Sequence, residues 1–567
     1  MATDDLRAQA EAWLADDPDP AARDEITALL AGLPGSADEL AERFAGPLTF
    51  GTAGLRGRLR AGPNGMNLAV VSRAAAGLIT WLAGQGAAGP LVIGYDARHG
   101  SRSFAEQTAR IATGAGREAL LLPGPLPTPV LAYAVRALSA VAGVMVTASH
   151  NPPQDNGYKV YLGAALGGVA GAGAQIVPPA DAEIEAAIRA VPAIASVPLG
   201  APGTVLDDKI VSGYVEAAVG ILGSGPRSLT IAYTPLHGVG GAVAASAFEL
   251  AGFGRPAVVA EQAEPDPDFP TVKFPNPEEP GAMDRLTALA TATKADLAIA
   301  NDPDADRCAV AIPTGGRIAG GADAVAGSAD AGVGGGWTAL TGDQLGVLLA
   351  DHLIRRGTPG TYATTIVSST MLKALCAARG VPYAETLTGF KWISRVGGLS
   401  FGYEEALGYL VDPGKVRDKD GISAAVAVLE EFSDLKAQGI TYEQHMASFA
   451  EQFGGYASSQ ISIRVADLSI IPATMERLRS SPPSVVNGLV VEGVDDFMTG
   501  VQGFPPNDIL RYRFDGGRVI VRPSGTEPKL KCYLDAWSTD GSPAERLAAA
   551  EKTVATLDAG MRELLED

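Results

Sequence analysis

Apolar positions near the start of the chain fall at helical spacing: Leu6, Ala10, Trp13 and Leu14, then Ile26, Leu29 and Leu30. Pro18 and Pro20 separate a first helix from a second. The pattern then alternates. Residues 72–85 and 103–114 predict helices, while 91–96, 119–122 and 141–146 are short apolar runs that predict buried strands. A second block repeats the scheme, with a helix over 207–222, a strand over 228–233 and a strand over 297–300. A third block has a helix capped by Thr341-Gly342-Asp343, a strand over 362–367, strand–loop units ending at 389–391 and 401–404, and a helix over 421–432. Beyond residue 454 the alternation fades into Val/Ile runs at 460–465, 489–494, 511–514 and 518–521, closed by a helix over 543–565. That is the pattern of an antiparallel sheet with helices. Together these elements predict an α/β protein of four domains, at 1–203, 204–313, 314–453 and 454–567, the last of α+β type. The Gly/Ala patch at 163–174 reads as a mobile surface loop, and 315–336 as a flexible insertion.

Composition narrows the function classes. The chain has 567 residues, of which 47% are hydrophobic, enough for several packed cores. Its net charge of −20 argues against nucleic acid or an anionic membrane as partner. Three dispersed cysteines, Cys308, Cys376 and Cys532, predict neither disulfide nor zinc site. No apolar run of membrane-spanning length and no signal-peptide pattern is present in the sequence, so a cytoplasmic location is expected, as monomer or homodimer.

Three loops carry the candidate chemistry. Thr147-Ala148-Ser149-His150-Asn151-Pro152 follows the strand run at 141–146, with Lys159 shortly after. A serine on a polar loop between a His and a Lys suits a nucleophile with base and electrophile close by, although such a dipeptide is also a common surface turn. No G-x-S-x-G elbow surrounds Ser149, which disfavours an esterase. Asn301-Asp302-Pro303-Asp304-Ala305-Asp306-Arg307 offers three hard oxygen ligands and a guanidinium, without the Gly and distal Glu of a calcium loop. Arg522-Pro523-Ser524-Gly525-Thr526-Glu527-Pro528-Lys529 supplies cations, hydroxyls and backbone N–H groups for a phosphate. A glycine-rich stretch at Pro235–Gly241 lacks the dinucleotide spacing and is set aside, with His237 read as structural.

A serine loop, a metal loop and a phosphate loop in this order resemble the α-D-phosphohexomutase superfamily, as do Gly51–Gly57, Thr388-Gly389-Phe390-Lys391 and Glu404-Glu405-Ala406-Leu407-Gly408. The resemblance covers nearly the whole chain. It implies three similar α/β domains with mixed sheets and the C-terminal α+β domain around a central cleft. It also implies that Ser149 is a phosphoserine, and that Mg²⁺ is held by Ser149, Asp302, Asp304 and Asp306. Arg56, Lys159 and Arg307 would stabilise the moving charge, and Lys159, His150 or Lys419 would act as base. Thr388, Gly389, Lys391, Glu404 and Glu405 would read the sugar, and Arg522, Ser524, Gly525, Thr526 and Lys529 would grip the second phosphate. The activity implied is transfer of phosphate between C1 and C6 of a hexose through a sugar 1,6-bisphosphate. One departure affects the sugar: where hexose enzymes show Glu-x-Ser-Gly-His, this chain has Glu405-Ala406-Leu407-Gly408-Tyr409. This resembles the branch with phosphopentomutase-type relatives, which keeps a pentose 1- and 5-phosphate substrate as the alternative. A metal-dependent phosphatase would need no second phosphate grip, and a non-catalytic binder would not need the intact serine and aspartates.

Overall fold

The computed structural model describes residues 3–51, 54–314, 332–333, 336–465, 467–501, 503–525 and 529–566. The chain forms two compact units. The first contains residues up to Thr314, the strands before Leu340, and Gly408–Ser433; the second contains Thr341–Leu407 and the chain from Asp434 onward.

Within the first unit, three short helices, Thr3–Asp16, Pro20–Ala31 and Ala37–Arg43, close around Leu6, Ala10, Ile26, Leu40 and Phe44, as the helical spacing predicts. The first sheet runs in the order Leu55–Arg58, Asp155–Leu162, Ala142–Val146, Leu91–Tyr95, Ala119–Pro125, Thr204–Val205. The central strands are parallel, and Asp155–Leu162 turns back antiparallel against Ala142–Val146. Every residue of Ala142–Val146 is buried, which is why it reads as an unbroken apolar run. Helices Leu68–Gly84 and Ser101–Gly114 cover this sheet through Val71, Leu78, Phe104 and Ala109.

The Gly/Ala patch is not a free loop. Residues Ala164–Gly171 form a helical stretch broken at Gly168 (φ 64°), and Ala174–Gln175 pairs with Tyr161 and Leu162. Arg136 Nη1 donates to Ala172 O (2.6 Å), and Arg417 Nη1 donates to Ala170 O (3.0 Å). These guanidinium bonds to backbone supply the order that the small side chains cannot.

The second sheet pairs Leu297–Asn301 in parallel with Ile231–Thr234, and antiparallel with Cys308–Pro313. Trp337–Ala339 then adds antiparallel to Cys308–Pro313. A boundary at 313 therefore cuts this sheet: Trp337–Ala339, with Gly332–Val333 at its outer edge, joins it from beyond residue 314, and most of 315–336 lies outside the described residues.

In the second unit, Thr361–Thr365 runs parallel to Tyr383–Thr386 and to Leu399–Glu404. The helix Gly342–Arg355 begins in a capping box between Thr341 and Gln344. An antiparallel sheet follows, with Gly455–Arg464, Lys529–Ser538, Gly517–Pro523, Leu510–Phe514 and Gly493–Asp496 in that order, covered by the helix Pro543–Glu566. Four larger sheets among the described residues, three of them mixed or parallel and one antiparallel, with a two-stranded pair of Val485–Val486 and Leu489–Val490, give a four-domain α/β fold. Among the described residues no helix is long and apolar enough to cross a membrane.

Candidate active site

The strand Ala142–Val146 delivers its polar continuation into the first unit's interior. Ser149 is buried, with its backbone in the left-handed region (φ 53°). Its N–H donates to Thr147 Oγ1 (2.9 Å), and its hydroxyl donates to Asp302 Oδ2 (2.8 Å) while lying 3.2 Å from His150 Nδ1. Burial, reinforced by Arg307 and Arg56, pushes His150 well below the ordinary imidazole range. The ring is therefore neutral at neutral pH and one of its nitrogens can accept a proton.

Asp302, Asp304 and Asp306 are all buried, and their ligand atoms lie within 4.8 Å of one another. Asp304 Oδ1 and Asp306 Oδ1 are buried without a hydrogen-bond partner. Two buried carboxylate oxygens without donors are costly, and a hard divalent cation is what their chemistry fits. Burial and the two neighbouring carboxylates push Asp302 well above the ordinary carboxylate range. Burial also acts on Asp304, but Lys159, with hydrogen bonds from Asp302, Lys159 and Thr128, holds its carboxyl far below that range.

The metal loop is shaped from below by the glycine-rich stretch set aside above. Val239 N–H donates to Pro303 O (2.8 Å), and a Cβ on Gly238 would stand 2.3 Å from Pro303 Cα. Gly421 closes another side: a Cβ there would meet Arg307 O at 2.2 Å. Ala305 takes the left-handed conformation (φ 53°), and Asn301 Nδ2 donates across the turn to Arg307 O (2.6 Å).

Cations fill the surroundings. Lys159 Nζ donates to Asp304 Oδ2 (2.8 Å) and Asp306 Oδ2 (3.2 Å), and Lys419 Nζ lies 3.1 Å from Asp306 Oδ2. Burial works against the Lys159 ammonium, but Asp304 and Asp306 outweigh it and raise its pKa. Arg56 Nη1 donates to Asn151 Oδ1 (3.1 Å), and Arg307 Nη1 contacts Glu278 (3.3 Å). The structure thus brings together Ser149, His150, Lys159, Arg56, Arg307, Lys419 and the three aspartates.

The other sequence-derived residues belong to the second unit. Glu404 ends the strand Leu399–Glu404, and Glu405 Oε2 accepts from Thr365 Oγ1 and Ser368 Oγ, both at 3.3 Å. Thr388 and Gly389 (φ 106°) precede the short helix Phe390–Ile393, which carries Lys391 beside the Trp392 ring. Arg522 and Ser524 lie where Gly517–Pro523 ends, and Ser524 N–H donates to Lys529 O (2.8 Å), closing the connection that holds Gly525. Thr526 lies outside the described residues. Leu407 is buried in the left-handed region (φ 60°), and Tyr409 is fully buried, so neither replaces the polar pair of the hexose pattern at a surface.

Sequence reasoning missed three groups. Thr128 Oγ1 donates to Asp304 Oδ2 (2.7 Å). Tyr161 OH donates to Asp418 Oδ2 (2.8 Å) beside Lys419. The Tyr533 hydroxyl, pushed well up first by burial and then by Glu405, also meets Arg522, joining the sugar loop to the phosphate loop. Each reads in sequence as a helix start or a strand residue, and no local signal marks it.

Comparison with known proteins identifies the family. The phosphoglucomutase/phosphomannomutase models match in order: alpha/beta/alpha domains I (47–193), II (212–316) and III (341–453), then the C-terminal domain (461–553). A Haemophilus influenzae protein named "probable phosphomannomutase" is 46% identical over 507 residues, covering 88% of this chain and 98% of its own. A Staphylococcus aureus phosphoglucomutase is 31% identical over 528 residues (88% and 91%). A Schizosaccharomyces pombe "probable phosphoribomutase" is 32% identical over 591 residues (94% of each). The crystal structure of a candidate phosphomannomutase from Thermus thermophilus superposes with a TM-score of 0.69 at 26% identity, over 92% of this chain and 99% of that one. With all four of its domains matched in sequence order, the chain belongs to the phosphoglucomutase/phosphomannomutase family.

Proposed function

We propose that this protein is a phosphosugar mutase that moves phosphate between C1 and C6 of a hexose, mannose or glucose, with Ser149 as the phosphoryl carrier. The observation that carries the reading is the Ser149 hydroxyl 2.8 Å from Asp302, in a buried triad with two unpartnered carboxylate oxygens and a fringe of Lys and Arg. The similarity to a phosphomannomutase at 46% identity, against 32% for the phosphoribomutase, supports a hexose over a pentose.

Asp302, Asp304 and Asp306, with the phosphorylated Ser149, would hold Mg²⁺, which when bound neutralises charge on the transferring phosphoryl oxygens. The chain's own groups do the rest. Arg56, Arg307 and Lys159 face the charge that spreads over those oxygens. Because Lys159 is held as an ammonium, it acts as an electrophilic partner, and the base that takes the hydroxyl proton would be His150 or Lys419. As the sugar hydroxyl attacks phosphoserine, its proton leaves to that base and the P–O bond to Ser149 breaks, giving a sugar bisphosphate. The reverse step from the other phosphate restores phosphoserine. Glu404 and Glu405 would read hydroxyls, and Arg522, Ser524, Gly525, Thr526 and Lys529 would hold the phosphate that is not reacting. A cytoplasmic location fits this activity.

A ³¹P NMR time course with Mg²⁺ and a trace of glucose 1,6-bisphosphate tests the proposal. Glucose 1-phosphate, mannose 1-phosphate and ribose 1-phosphate are offered separately. Fast hexose conversion is expected, with none by Ser149→Ala. Conversion of ribose alone would overturn the hexose assignment, and wild-type turnover by Ser149→Ala would overturn the carrier.

A further inference from the structure

Ser149 pays for its position with a left-handed backbone, a conformation that costs a non-glycine residue about 1–3 kcal/mol and persists only where its surroundings impose it. The imposing group is Arg98. Its side chain is 1% exposed. Arg98 Nη2 donates to Ser149 O (2.6 Å) and Asn151 O (2.5 Å), and Nη1 donates to Pro152 O (2.8 Å) and Asp155 O (3.2 Å). Four carbonyls of the serine loop thus converge on one guanidinium.

That guanidinium is itself fixed. Asp96 Oδ2 lies 3.4 Å from Arg98 Nε, Asp96 Oδ1 accepts from Arg98 N–H (3.0 Å) and Ser101 Oγ (2.6 Å), and the Phe269 ring lies 4.9 Å beneath Arg98 Cζ. The planar fork matters: a lysine ammonium at one point cannot serve carbonyls spread over residues 149–155. Among the described residues no hydrogen bond of Arg98 reaches the Ser149 hydroxyl, Asp302, Asp304 or Asp306; its charge is felt by Asp304, and its direct bonds to the serine loop are to the backbone.

We propose that Arg98 is a positioning residue: its buried guanidinium gathers the Ser149, Asn151, Pro152 and Asp155 carbonyls and so sets the line along which the Ser149 oxygen meets phosphorus. The proposal rests on Ser149 being the phosphoryl carrier. Transfer requires the two oxygens roughly in line through phosphorus, and a misplacement of about 1 Å can cost about 100-fold in rate.

The test uses Arg98→Lys in the full chain. Four quantities are read: mutase kcat, KM, the rate at which glucose 1,6-bisphosphate loads phosphate onto Ser149 by intact mass, and the melting temperature. The expected result is a fall of about 100-fold in both kcat and loading rate with KM within about twofold, the split that lost alignment produces. Arg98→Ala with added guanidinium ion should recover part of the loading rate. If Arg98→Lys lowers only the melting temperature, or raises KM with kcat unchanged, the proposal is overturned. Should that variant fail to fold, Asp96→Asn, which sets an amide beside Arg98 Nε, is expected to lower the loading rate about tenfold; unchanged loading there overturns the proposal too. Failure of the wild-type protein to load phosphate would instead remove the carrier reading itself, an outcome separate from any Arg98 effect.

Discussion

Asp343 offers a quantitative prediction far from the metal loop. It is the second residue of the helix Gly342–Arg355, and burial, with Asp535 and Glu405 nearby, raises its carboxyl to about 7, against 3.8 for an unperturbed aspartate. The three donors it accepts, Ser369 N–H (2.8 Å) and Tyr403 OH (3.0 Å) on Oδ1 and Ser458 Oγ (2.9 Å) on Oδ2, oppose the rise without cancelling it. A folded-state pKa above the unfolded one means that the folded protein binds the extra proton. This contribution is fully present below pH 3.8 and is lost as pH rises through about 7. At about 1.36 kcal/mol per unit, the loss reaches at most about 4 kcal/mol. Asp343→Asn removes it while keeping every bond, since the amide oxygen can accept from Ser369 and Tyr403, and its NH₂ can donate to Ser458 Oγ. The variant should match wild type near pH 4 and melt higher at pH 8, by up to about 8–16 °C at about 2–4 °C per kcal/mol for a unit of this size. Calorimetric melting across that range is the assay. A gain that does not grow with pH, or a loss at pH 8, would refute the reasoning.

Other outcomes follow from the metal loop. Asp304→Asn removes the charge that holds Lys159 and one bare oxygen, so kcat should fall about 100-fold or more and the Mg²⁺ concentration for half activity should rise; a Mg²⁺ titration showing one change without the other would count against the loop. Gly238→Ala drives a methyl into the Pro303 backbone, so kcat should drop at least about tenfold with weaker Mg²⁺ dependence; wild-type kinetics would mean the loop has room to move. Ser149→Ala should leave circular dichroism unchanged and take up no phosphate from glucose 1,6-bisphosphate; phosphate elsewhere on the chain would move the carrier.

The sequence made the two central loops legible because each is short-range: Ser149 and His150 adjoin, and the aspartates occupy alternate positions on one turn. The apolar runs likewise located strands such as Ala142–Val146, since full burial leaves an unbroken hydrophobic signature. What stayed hidden is long-range. Thr128 reaches Asp304 across more than 170 residues, and Tyr533 meets Glu405 across more than a hundred. Gly238 carried a visible signal whose purpose, close contact with Pro303, depends on a partner that no local pattern names. The place of the strand Trp337–Ala339 was hidden for the same reason: a sheet can accept a strand from beyond an insertion.

The return of Gly408–Ser433 to the first unit bears on how a ribosome makes this protein. When Asp306 leaves the exit tunnel, its lysine neighbour Lys419 is more than a hundred codons away. Gly421, which seats against Arg307, and Asp420, which accepts from Tyr214 OH (2.7 Å), arrive with it. During synthesis the three aspartates therefore wait without this lysine, and a nascent chain stalled before residue 408 would hold the carboxylates and the serine but not the segment that finishes their pocket.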